Sequence, residues 1–140
     1  MTRARLAVAC ALAAFSIEAL AADPLPQKDP ITTHVLDTSL GKSAAGVAIA
    51  LQRRSGNVWE EVGQSRTNAD GRADRLYPRG RALERGTYKL VYRTAEYFKA
   101  RGVETFFPTV EVVFEVRATG EHYHVPLLLG PFAYGTYRGS

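Results

Sequence analysis

One short run constrains this chain more than any other. In Val110-Glu111-Val112-Val113-Phe114-Glu115-Val116, the apolar residues Val110, Val112, Phe114 and Val116 are spaced two apart, with Glu111 and Glu115 between them. Successive side chains of a strand point to opposite faces. This run can therefore bury one face and wet the other only as a strand. The same period recurs elsewhere. Val47, Ile49 and Leu51 share a face, and so do Tyr88, Leu90 and Tyr92 within 87–93. Residues 31–37 are rich in β-branched side chains and stop at Thr38-Ser39-Leu40-Gly41. A strand over 58–67 lies between the turn signals Ser55-Gly56-Asn57 and Asn68-Ala69-Asp70-Gly71, so it forms a hairpin with the strand before it. Ala118-Thr119-Gly120 turns the chain back into a strand over 122–128, and a last strand is expected over 133–137. Only 94–101 carries a helical pattern, with Ala95, Tyr97 and Phe98 as its buried side and Gly102 as the C-cap. Many short strands, turns between them and one short helix predict a mainly β protein, a two-sheet sandwich.

The N-terminal segment does not fit that pattern. Arg3 and Arg5 precede an apolar stretch over 6–17, and Ala19-Leu20-Ala21 has the form of a cleavage site. Residues 1–21 are thus expected to be a secretory signal peptide, and the stretch is too short to cross a bilayer, which takes about 20 residues. Residues 22–30 hold Pro24, Pro26 and Pro30 and read as a flexible leader, leaving 31–140 as one domain. The expected location is the periplasm. Removing Arg3, Arg5 and Glu18 takes Lys+Arg from 18 to 16 and Asp+Glu from 14 to 13, a net charge of +3. The basic residues are scattered, with only short groups at Arg53-Arg54 and Arg79/Arg81/Arg85. This argues against a nucleic-acid surface. Cys10 is the one cysteine and lies in the signal, so the domain is expected to hold together through its core or through association, without disulfides.

A sandwich fold hosts many functions, so chemistry has to come from particular residues. The histidines are His34, His122 and His124. Spacing on a strand places His122 and His124 on one face and Tyr123, Val125 and Leu127 on the other. Histidine carries protons near neutral pH. Taken singly, each of the three also reads as a surface or hydrogen-bonded structural residue. His-x-His with a third histidine could also hold zinc, although no cysteine cluster supports it. Arg72, directly after Asp70-Gly71, is either a solvated turn residue or a fixed fork of donors for an anionic or carbonyl-rich ligand. Strand-like character continues through Tyr134 and Tyr137 to the last residues, which predicts a docked rather than frayed terminus.

Thr32-Thr33-His34-Val35-Leu36-Asp37, Asp70-Gly71-Arg72, His122-Tyr123-His124-Val125-Pro126-Leu127-Leu128 and the terminal Tyr137-Arg138-Gly139-Ser140 occur in that order. Together they resemble the 5-hydroxyisourate hydrolases, also called transthyretin-related proteins, over 31–140. The resemblance implies a transthyretin-like sandwich and a homotetramer with sites in channels at the dimer–dimer interface. It implies hydrolysis of 5-hydroxyisourate with no metal and no cofactor. His34, Arg72, His124 and Ser140 would be catalytic. His34, Arg72, Tyr137 and Arg138 would bind substrate. Two positions depart from the family's usual serine: Gly130 before Pro131, and Gly135 in the terminal strand. A non-catalytic carrier of a small apolar ligand and an exported Ig-like interaction module are the competing readings.

Overall fold

The computed structural model describes residues 28–140. The expected signal segment and most of the leader lie outside the described residues. Ten strands and one helix follow. They are β1 (Ile31–Asp37), β2 (Lys42–Ser43), β3 (Ala48–Ser55), β4 (Val58–Arg66), β5 (Arg72–Ala73), β6 (Gly86–Tyr92), α1 (Thr94–Lys99), β7 (Val110–Val116), β8 (Tyr123–His124), β9 (Leu127–Leu129) and β10 (Tyr134–Thr136).

The strands form two sheets, as expected. One runs β4-β3-β6-β7 and is antiparallel throughout. The other runs β10-β9-β1-β2, with β5 and β8 also paired to β1. The alternating runs bury the faces they should: Val47, Ile49, Leu51, Tyr88, Leu90, Tyr92, Val110, Val112 and Val116 all enter one core, against Ile31 and Val35 of β1 and Leu127 and Leu129 of β9. Each large side chain so buried contributes about 1.5–3 kcal/mol. Where polar groups enter this core they are paired, as burial requires. Thr33 donates to the carbonyl of Val125 at 2.7 Å, and its oxygen lies 2.8 Å from the Tyr92 hydroxyl. Asp37 closes β1. Its Oδ1 accepts from the N–H groups of Ser39 and Leu40, and its Oδ2 from the Tyr97 hydroxyl and from Arg101. Burial pushes this carboxyl up. The hydrogen bonds from Ser39, Tyr97 and Leu40 and the Arg101 cation outweigh that and hold it below its ordinary value.

Some expectations shift in detail. The strand anticipated over 122–128 is two short pieces, β8 and β9, divided at Val125-Pro126, because proline has no N–H to donate to a ladder. Both pieces run parallel to β1. The last strand spans three residues, paired antiparallel to β9. In α1 the buried residues are Thr94, Tyr97 and Phe98, with Ala95 only half-buried. Gly102, at φ +66°, ends the helical turns: its N–H bonds to Lys99 and that of Val103 to Phe98, the paired bonds of a left-handed C-terminal cap.

Candidate active site

β1 has a second face. Ile31, Thr33, Val35 and Asp37 point into the core, while Thr32, His34 and Leu36 alternate outward and are half-buried. The neighbours of β1 add to this outer face. In β8, Thr32 is in register with His124. Tyr123, Val125 and Leu127 are buried and the two histidines half-buried, so the strand period sorts them as expected. In β5, Arg72 is in register with His34. The Asn68–Gly71 turn sets that register. The Asn68 side-chain oxygen accepts from the N–H groups of Asp70 and Arg72, each at 3.0 Å. Gly71 takes φ +72°, and a Cβ there would lie 2.5 Å from the Val35 carbonyl oxygen. Only glycine suits both the dihedral and the approach.

These elements enclose a cavity of about 280 Å³ lined by Lys28, Thr32, Arg72, Asp74, His122, His124 and Ser140. The imidazoles of His122 and His124 stack with centroids 6.2 Å apart. Thr32 Oγ1 lies 2.9 Å from His122 Nε2 and 2.8 Å from His124 Nδ1. His34 stands beside this cavity, its Nε2 3.4 Å from Ser43 Oγ. Burial lowers the pKa of His124, and positive charge on Arg72, and on His122 and His34 whenever they are protonated, lowers it further, against an opposing contribution from the Thr32 backbone. Burial and Lys28 lower that of His122, against Asp29. Both rings are therefore neutral at pH 7, able to take a proton, next to a permanent guanidinium cation.

Gly139 fixes the position of His124. Its N–H donates to the His124 carbonyl at 2.8 Å, and the two residues form a single antiparallel bridge. A Cβ on Gly139 would sit 2.5 Å from His124 Cδ2, so the backbone lies against the ring and leaves no room for a side chain. The docked terminus thus brings Ser140 into the cavity.

Of the residues singled out from sequence, His34, Arg72, His124 and Ser140 come together on this face. Tyr137 and Arg138 do not line the same cavity. They line a neighbouring one of about 450 Å³, walled by Val112, Val113 and Phe114 and also bordered by His124. Arg138 pairs with Glu121 at 2.7 Å, with both side chains largely exposed. Such a pair is worth about 0–1 kcal/mol and holds the arginine weakly. Sequence reasoning did not single out Thr32, and it left His122, a candidate proton carrier or zinc ligand, out of the site that the resemblance implies. The signal for both was the register of one His-x-His strand with β1, which becomes visible only once strand order is known. The three histidines do not converge on one point, and among the described residues no group of three or more His, Cys, Asp or Glu is arranged to hold a metal ion. The two departures are benign in place. Gly135 has open space where a side chain would go, and Gly130 sits in the β9–β10 turn with Thr38 Oγ1 3.1 Å from a notional Cβ.

The model of the HIUase/Transthyretin family matches residues 31–139. A 5-hydroxyisourate hydrolase of Mus musculus is 46% identical over 116 residues, covering 81% of this chain and 98% of its own. The solved structure of a Klebsiella pneumoniae 5-hydroxyisourate hydrolase superposes with a TM-score of 0.68 at 34% identity, over 79% of this chain and 92% of that one. Sea bream transthyretin, solved in complex with thyroxine, gives a TM-score of 0.74 at 28% identity, over 79% and 95%. Backbone likeness thus reaches both branches, identity is higher toward the hydrolases, and the chain belongs to the HIUase/Transthyretin family.

Proposed function

We propose that this protein is an enzyme that hydrolyses 5-hydroxyisourate in urate breakdown, opening the six-membered ring by attack of water on a cyclic amide to give 2-oxo-4-hydroxy-4-carboxy-5-ureidoimidazoline. The observation that carries this reading is the polar cavity itself: imidazole and guanidinium groups face one space, with Ser140 delivered to it by the docked terminus. A carrier of apolar ligands has no use for that set, and the relatives with higher identity bear the hydrolase name.

The chemistry follows from the residues. Amide hydrolysis needs a water made nucleophilic, a stabilised oxyanion and a proton for the leaving nitrogen. His34 and His124 are the candidates for moving the proton, a role that contributes about 10²–10⁴-fold. Arg72 holds the carbonyl-rich ring and offsets developing negative charge. Ser140 orients water or substrate. Tyr137 and Arg138 face the adjoining cavity, so in this reading they close a site only together with another copy of the chain. A homotetramer, with sites at the dimer–dimer interface, supplies that copy. The exposed apolar side chains Val113, Leu128 and Tyr134 are consistent with further burial. Export to the periplasm by the 1–21 segment completes the proposal.

The test is spectroscopic. 5-Hydroxyisourate is generated from urate by urate oxidase and its ultraviolet decay followed with the purified protein and EDTA. Decay far faster than the spontaneous rate and indifferent to EDTA is the expected result. Acceleration lost on EDTA would restore zinc chemistry, and no acceleration would leave the carrier reading.

A further inference from the structure

The outer face of β1 holds an arrangement that the proposed reaction does not by itself require. One hydroxyl, Thr32 Oγ1, sits between two imidazole nitrogens, 2.9 Å from His122 Nε2 and 2.8 Å from His124 Nδ1. A hydroxyl has one proton to donate and lone pairs to accept with. Between two neutral rings it can donate to only one of them. The other ring must then present an N–H. The two tautomers are therefore locked together, and two arrangements are open. Either His124 Nδ1–H donates to Thr32 and Thr32 donates to His122 Nε2, or every bond runs the other way.

In either arrangement the Nδ1 edge of His124 is the one engaged by Thr32. Cδ2, bonded to Nε2, lies against Gly139, so the other edge of the ring is turned to the segment that carries Ser140. The first arrangement leaves Nε2 on that edge as the one basic nitrogen of His124, and the second leaves it an N–H donor.

We propose that Thr32 is a positioning residue that couples the tautomers of His124 and His122, so that one of His124 Nδ1 and His122 Nε2 carries a proton and the other is bare. On the hydrolase reading above, His124 acts as base through Nε2, which selects the arrangement with its Nδ1 protonated. The coupling itself does not rest on that reading. His122 is then neither a metal ligand nor a second base, and its value lies in fixing which way the Thr32 hydroxyl points.

The first measurement is ¹⁵N NMR of the intact wild-type protein near neutral pH, with no substrate. His124 Nδ1 and His122 Nε2 are expected in opposite states, one protonated and one bare, and the hydrolase reading expects the proton on His124 Nδ1. The same state at both nitrogens would overturn the proposal without any variant. The second measurement compares Thr32→Val, which keeps the shape and loses the hydroxyl, with Thr32→Ser. In Thr32→Val, His124 is expected to lose its single tautomer and kcat to fall about 10²-fold, the low end of what a positioned proton-transfer group contributes, with KM little changed. Thr32→Ser restores both. A Thr32→Val protein that keeps the wild-type tautomer and kcat refutes the assignment. Should the wild type prove inactive on 5-hydroxyisourate while the tautomer is present and lost in Thr32→Val, the substrate reading fails and the role of Thr32 stands.

Discussion

The two faces of β1 carry opposite assignments with the same backbone. Inward, Ile31, Thr33, Val35 and Asp37 are essentially sealed from solvent, and every polar group among them is satisfied inside the protein. Outward, Thr32 and His34 are half-buried; Thr32, with the aligned His124 and Arg72, forms the wall of an open cavity, and His34 stands beside it. The inner face stabilises the sandwich. The outer face spends little on stability and holds reactive groups at fixed spacing. The comparison teaches that a strand can separate folding from chemistry at a one-residue period. Changes on the two faces should therefore separate in their effects.

The largest predicted separation uses one change on each side. His124→Asn is expected to cut kcat by about 10²–10⁴-fold while the melting temperature stays near wild type. Leu127→Ala, fully buried on the inner side of the neighbouring β9, should cost about 2–5 kcal/mol of stability. Its kcat per folded molecule should be retained at temperatures where it remains folded. Urea titration and steady-state kinetics on both variants check this. A His124→Asn protein with unaltered kcat would remove His124 from the chemistry.

Arg72→Gln sharpens the electrostatic half of the comparison. Loss of the donor fork should lower kcat by about 10²–10³-fold, as for other groups aimed at a developing oxyanion. It should also move the pH profile. Burial comes first among the causes that depress the His124 pKa, and Arg72 follows. A base with a lowered pKa stays neutral into mildly acid solution, so the acid limb of kcat/KM is expected below 6.5, the value of an unperturbed histidine. Removing the cation should bring that limb upward, toward 6.5. A limb that does not move would mean that His124 is not the titrating group.

Gly139→Ala tests how the outer face is held. Its Cβ would meet His124 Cδ2 at 2.5 Å, and the Gly139 backbone is tied to the His124 carbonyl. The ring must shift by an appreciable fraction of an ångström. Displacement on that scale can cost about 10²-fold in rate. We expect a loss of up to that size in kcat, with stability nearly unchanged, because the contact is at the surface edge of β8.

How much of this was legible beforehand divides along the same line. The alternation over Val110–Val116, and in Val47, Ile49 and Leu51, fixes buried faces because a strand's period is a local property. The turn before Arg72 was likewise readable from Asn, Asp and Gly. What no local pattern contains is which strands lie side by side. Thr32 meets His122 and His124 across 90 and 92 residues of chain, through parallel pairing of β8 with β1. Arg138 could be assigned to a site from its motif, yet its side chain pairs with Glu121 and lines the neighbouring cavity. Where a side chain turns at the last strand depends on contacts that spacing does not encode.

The smallest predicted effect bears on that same strand. Gly135 faces open space within β10, paired with Leu128, and stands where related hydrolases were expected to carry serine. A glycine in a strand loses more backbone entropy on folding than other residues do. Replacing it where nothing is crowded should stabilise slightly or do nothing. Gly135→Ser is therefore expected to change stability by no more than about 0.5 kcal/mol. It should also leave kcat and KM at wild-type values, since Gly135 touches neither cavity. A clear loss of activity in Gly135→Ser, with the fold intact by circular dichroism, would mean that the outer surface of β10 is occupied when the enzyme works. Another copy of the chain would be the first occupant to test, by measuring whether the variant's oligomeric mass in solution has changed.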